Sequence, residues 1–215
     1  MKNILSDVEE VLEKYHKIGL MVSGGLDSTL LAYLLLHFKH KNKKNNEIVF
    51  FVVPRPDDSV VHVNRVVDYL DNHFNQPKST IHIVGAGDLH HSKQVTSGMK
   101  EAVMNYDCDM YLSSTTTNPP ELLPGYAYNT IPDINGTFYN GPVRKKSWHP
   151  KLVDIFWEYT KEDTVKIIKD MNLVDIMNIT HTCTNSKSIK CNVCWQCCER
   201  TWAFKQNDFI DTGTM

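Results

Sequence analysis

Two stretches of the chain gather residue types from which a reactive site can be made. The first, "SGGLDST" at residues 23–29, follows an apolar run and precedes a long helical pattern. Glycines at 24 and 25 allow backbone conformations closed to other residues and remove side chains that would hold a ligand away. A loop of this kind that runs into a helix N-terminus turns unpaired amide N–H groups, and the positive end of the helix dipole, toward one point. Phosphate oxygens suit such a point. Ser23, Ser28 and Thr29 add hydroxyl donors, and the backbone of Leu26 completes the turn. Asp27 has the wrong sign for direct phosphate contact and fits only with a cation between, so the combination implies Mg²⁺ with a polyphosphate. The lysine-bearing GxxxxGK[ST] loop is absent, which excludes the simplest kinase or GTPase assignment. Taken alone, the glycine pair is equally an ordinary strand-to-helix turn, with Asp27-Ser28 as an N-cap.

The second stretch is "HTCTNSKSIKCNVCWQCCERTWAF" at residues 181–204. It spaces Cys183, Cys191, Cys194 and Cys197 so that four thiolates can converge tetrahedrally on Zn²⁺, at Zn–S distances of about 2.3 Å. Four cysteine ligands leave no open position, so this metal is expected to be structural. A redox CxxC pair or an iron–sulfur cluster uses the same residue type. Cys198 and the isolated Cys108 are expected to be small buried hydrophobes, and His181 a surface or packing residue.

The elements that must hold these stretches follow from periodicity. Residues 3–16 repeat as an amphipathic helix, "IGLMVS" is a buried strand, and Leu26, Leu30, Leu31, Leu34, Leu35 and Phe38 recur at helical spacing. Then "EIVFFVV", "TIHIVG" and "DMYLSS" alternate as strands with helices over residues 60–74 and 93–106. Such alternation predicts an α/β fold with an open, doubly wound parallel sheet covered on both faces. From residue 115 to 150 the rhythm fails in a proline-rich stretch. Its aromatics Tyr126, Tyr128, Phe138 and Tyr139 favour an ordered functional loop over a disordered insertion. Regular structure resumes at "LVDIFWEY", and "KEDTVKIIKDMNLVDIM" reads as a helix and its continuation. We therefore expect residues 1–150 to form the ligand-binding α/β domain, with 151–215 a helical cysteine-bearing segment packed on it.

"SGGLDST" after a buried strand resembles the PP-loop of the ATP pyrophosphatases, which cleave ATP between its α and β phosphates. The resemblance implies a Rossmann-like fold of the adenine nucleotide α-hydrolase type, with Ser23, Gly24, Gly25, Asp27 and Ser28 around the pyrophosphate portion of ATP. The cysteine pattern followed, after two intervening residues, by Arg200, together with "HPKLVDIFWEYTKEDTVKIIKDMNLVDIMNITHTC", resembles the 7-cyano-7-deazaguanine synthases of queuosine precursor biosynthesis. Lys161, in "TKEDT", falls where that family has a lysine. The resemblance implies a ligase that adenylates a carboxylate for attack by ammonia and then dehydrates the amide to a nitrile, as in conversion of 7-carboxy-7-deazaguanine to 7-cyano-7-deazaguanine. In it Asp27 serves Mg²⁺ and Lys161 the phosphate charge. Judged alone, Lys161 is equally an exposed lysine at a helix start. The middle of the chain departs from the family: "PRPDD" follows the second strand, and "NPPELLPGYAYNTIP" stands where that family frames its deazaguanine. A sulfur-transferring or other tRNA-modifying PP-loop enzyme, and a nucleotide-binding module without turnover, remain open alternatives.

Bulk properties narrow the partners. A net charge of -2 on 215 residues gives no broad basic field for nucleic acid, so small molecules are favoured. The N-terminal stretch lacks the apolar core of a signal peptide, and no apolar run has membrane-spanning length. A cytoplasmic protein is expected, and a homodimer is compatible with the resemblance. Arg55, Arg65 and Arg144 are either partners of an anionic substrate or surface charges. Trp148, Phe156, Trp157 and Tyr159 are expected to pack in the core.

Overall fold

The first helical pattern folds as α1 (Ile4–Lys14), with Asn3 capping it by accepting the Leu5 amide and with Ile4, Val8, Val11 and Leu12 buried. The computed structural model describes residues 3–85, 91–119 and 148–213. After α1 come β1 (Lys17–Met21), α2 (Leu26–Lys41), β2 (Glu47–Val52), α3 (Ser59–His73), β3 (Ile81–Ile83), α4 (His91–Asn105) and β4 (Met110–Ser113). The C-terminal part supplies β5 (Leu152–Asp154), α5 (Lys161–Asp170), α6 (Val174–Ile179) and α7 (Trp195–Gln206).

The five strands form one sheet in the order β3-β2-β1-β4-β5, and every neighbouring pair is parallel. The chain moves outward from β1 through β2 to β3, then returns past β1 to place β4 on its other side. Right-handed crossovers put α2 and α3 on one face and α4 on the other. The two cores follow that division. Leu20, Phe50, Val52 and Leu112 pack with α1–α3 and α5–α7. Met21, Phe51, Val53 and Tyr111 pack with Ala102 and, at its margin, Met99 and Val103 of α4. The expected open α/β sheet with a C-terminal helical segment is the fold observed.

Two elements differ from the pattern in the sequence. Of "LVDIFWEY", only Leu152–Asp154 is strand, and it completes the sheet beside β4. The helical reading of residues 161–177 breaks after Asp170, where Asn172 takes a left-handed φ of 54°. The apolar stripe of α2 also proves wider than one face: Ala32, Tyr33 and Leu36 are buried as well, because α1, α5 and α6 all pack against this helix. The aromatics Tyr126, Tyr128, Phe138 and Tyr139 lie outside the described residues. Among the described residues, no helix is long and apolar enough to cross a membrane.

The C-terminal segment is fastened by Arg200 of α7, whose side chain is 1% exposed. Its Nε and one terminal nitrogen donate to both carboxylate oxygens of Asp211, at 2.9 and 2.8 Å, and the other terminal nitrogen donates to the Thr180 and Thr182 hydroxyls. Lys190 also pairs with Asp211. Burial would raise the Asp211 carboxyl, but Arg200 and Lys190 outweigh it and hold the group below its ordinary value. The pair therefore stabilises the fold above the ordinary carboxylate pKa near ~4, and that contribution is lost as pH falls through the lower folded value. Asp211→Ala strands a buried guanidinium and is expected to cost about 3–5 kcal/mol, read as a lower urea midpoint at pH 7 with the slope unchanged.

Candidate functional site

In an open parallel sheet the ligand crevice lies beyond the carboxyl ends of the strands, where the winding reverses. Here the reversal falls between β1 and β4, and a cavity of about 760 Å³ opens there. Ser23, Gly25, Leu26, Asp27 and Ser28 after β1 form one wall, and Ser113 to Thr116 after β4 form another. α4 contributes Val95, Thr96 and Met99.

The loop after β1 is held from behind. Gly24 has φ +77° and packs so closely on α3 that a Cβ there would stand 2.5 Å from the Cβ of His62. Its carbonyl accepts the His181 amide at 2.8 Å, and the His181 and His62 rings stack with centroids 4.2 Å apart. Burial, His181 and Arg65 all push the His62 pKa down, so the His62 ring in this stack is neutral near pH 7. Gly24→Ala is expected to lower stability by about 1–3 kcal/mol, checked by thermal melting.

Helix α2 begins at Leu26 with Gly25 as N-cap and no side-chain cap. The expectation of Asp27-Ser28 as an N-cap is corrected: both lie inside the first turn. With no side-chain cap, the first-turn N–H groups are left for solvent or an anion. The hydroxyls divide the work. Ser23 and Ser28 contact each other at 3.1 Å on the cavity wall. Thr29 is fully buried behind the loop, where its hydroxyl donates to the Gly25 carbonyl at 2.8 Å.

Opposite the loop stands Lys161. It is 3% exposed, so the alternative of an exposed lysine at a helix start does not hold. A capping box fixes this end of α5: the Thr160 hydroxyl accepts the Asp163 amide, and Asp163 accepts the Thr160 amide. The Lys161 ammonium is ion-paired with Asp27 and lies 3.4 Å from Glu199 of α7. The Thr164 hydroxyl donates to the second oxygen of Asp27 at 3.1 Å. Glu199 and Thr164 were absent from the sequence reading. The T-x-x-D spacing of Thr160 and Asp163 is a local signal for the start of α5 and so for Thr164, but nothing local signals Glu199.

The remaining walls sort the other candidates. Arg55 lines the cavity, paired at 2.6 Å with the buried Asp57. Arg65 lies beside His62, and Arg144 is outside the described residues. Trp148 and Trp157 stand on the cavity wall, whereas Phe156 is in the core and the Tyr159 hydroxyl donates to Asp7. The expectation of core packing for all four aromatics therefore splits.

Cys183, Cys191, Cys194 and Cys197 come together, their sulfurs all within 4.8 Å of one another. A zinc tetrathiolate needs sulfurs about 3.8 Å apart, so the four residues can hold a zinc ion with little contraction. Their chemistry agrees. The hydrogen bond from Cys197 brings Cys194 down to about 4, and the same contact raises Cys197. Four sulfurs gathered this closely are stabilised as thiolates by a shared cation. Cys194 is also the N-cap of α7, so the cluster sets where that helix starts. Cys198 is half-buried with its sulfur toward the Asn192 carbonyl at 3.7 Å, while Cys108 is buried as expected. Compared with models of known protein families and with curated proteins, the chain finds no match in either.

Proposed function

We propose that this protein is an ATP-dependent ligase that activates a carboxylate as its acyl-adenylate for attack by ammonia. The observation that carries the proposal is the pairing of an uncapped helix N-terminus with the buried Lys161–Asp27 contact across one cavity. The loop amides and the Ser23 and Ser28 hydroxyls suit the β and γ phosphates of ATP. Asp27 would hold Mg²⁺, which when bound neutralises the developing pyrophosphate charge. Lys161 supplies a second positive charge to the same oxygens.

In the first step a substrate carboxylate oxygen forms a bond to the α-phosphorus and the bond to pyrophosphate breaks. In the second, ammonia adds to the acyl carbon, one of its protons passes to solvent, and AMP leaves, giving the amide. Both steps depend on positioning and charge stabilisation. The carbon–nitrogen ligation of 7-carboxy-7-deazaguanine is the reaction that the sequence resemblance implies. Trp148 and Trp157 on the cavity wall bring indole rings, a side-chain type against which a planar acceptor can stack. Exchange of labelled pyrophosphate into ATP, measured with this acid and a panel of other carboxylates, tests the proposal. Carboxylate-dependent exchange supports it, and its absence with the whole panel leaves a nucleotide-binding module in its place.

A further inference from the structure

We infer that Glu199 is a positioning residue for the nucleotide site, holding the Lys161 ammonium in place when Asp27 turns from that ammonium to a bound cation. The inference rests on the nucleotide reading of the loop given above. Lys161 occupies the first position of α5, where the positive end of the helix dipole opposes a cation, and its side chain is only 4% exposed. Such a charge needs a carboxylate at all times. Here it has two, Asp27 and Glu199, with side chains 16% and 4% exposed. The more exposed partner, Asp27, sits on the loop that would take the ligand. The less exposed one sits on a helix held at both sides: its N-cap position is Cys194, a member of the cysteine cluster, and Arg200, next to Glu199, is pinned by Asp211, Thr180 and Thr182.

Two carboxylates on one ammonium make an exchange of partners possible without leaving the cation alone. When Asp27 engages Mg²⁺, the ammonium keeps Glu199 and is aimed at the phosphates. Without the Glu199 charge, Lys161 would hold Asp27 as its sole counter-ion of the pair, and the carboxylate would be withdrawn from the metal. The cysteine cluster thereby bears on the nucleotide site through one side chain, since the helix it starts is the one that aims Glu199.

The test is Glu199→Gln in the full zinc-loaded chain, with calorimetric binding of a non-hydrolysable α,β-methylene ATP analogue. Binding in Mg²⁺ is expected to weaken by about tenfold or more. Binding without Mg²⁺, zinc content and melting temperature should change little, and Glu199→Asp should recover most of the affinity. In a Lys161→Gln background, adding Glu199→Gln should have almost no further effect, because the two act as a unit. Should Lys161→Gln not fold, the contrast between the Gln and Asp variants at position 199 decides by itself. Wild-type binding with Glu199→Gln within about twofold, or additive losses in the cycle, overturns the inference alone. No binding by wild type in either condition removes the nucleotide reading and this inference with it.

Discussion

Asp27→Asn is expected to reduce pyrophosphate exchange by about a thousandfold or more while leaving the melting temperature near that of wild type. The two halves of this result come from different properties of one side chain. Asparagine has the shape of aspartate and an amide oxygen that can still accept the Thr164 hydroxyl, so the loop keeps its support. Lys161 keeps Glu199 as its counter-charge, and no cation is stranded in the interior. What disappears is the negative charge facing the cavity, which the proposed chemistry needs for a divalent ion. Radiolabel exchange and a thermal melt on the same preparation check both halves. Retained exchange would remove Asp27 from any metal role, and a collapsed melt would make it a structural residue.

Cys194→Ser is expected to release the bound metal and to destabilise the chain by more than about 4 kcal/mol, a size reserved for losses such as a metal site or a buried network. At ~2–4 °C per kcal/mol for a chain of this size, the melting temperature should fall by roughly 10 °C or more. The magnitude follows from where Cys194 sits. It is a ligand candidate, it stands at the N-cap position of α7, and its amide donates to the Cys191 sulfur at 3.2 Å. Freeing this corner also loosens the start of the helix that carries Glu199 and Arg200. Metal analysis of purified wild type and variant, with melts run before and after chelation, is the measurement. Equal metal content and superimposable melts would contradict a structural centre.

How much of this was legible beforehand depended on sequence distance. "SGGLDST" and the four cysteines could be read because their partners lie within a few residues, and local spacing fixes local geometry. The strands β1, β2 and β4 were legible because central parallel strands are apolar runs. β5 was not, since a three-residue strand carries no period. The link between Lys161 and Asp27 spans 134 positions, and depends on how α5 docks against α2. Resemblance brought Lys161 to notice, but neither spacing nor composition could place Glu199 or Thr164 beside it. The same limit explains the aromatics. Trp157 and Phe156 are adjacent in sequence, yet one faces the cavity and the other the core, because they sit in the turn that follows β5, where the Trp157 amide donates back to the Asp154 carbonyl and no strand or helix period applies.

The helix that starts at the loop is enclosed along nearly its whole length, with Leu30, Leu31, Ala32, Leu34 and Leu35 all without solvent contact. Its first turn is therefore a fixed anvil, unable to yield toward a guest. Any accommodation during entry or departure of a ligand must fall to the opposite rim, where Trp148 stands 45% exposed. Natural variation in what the cavity accepts should accumulate on that rim and spare the anvil.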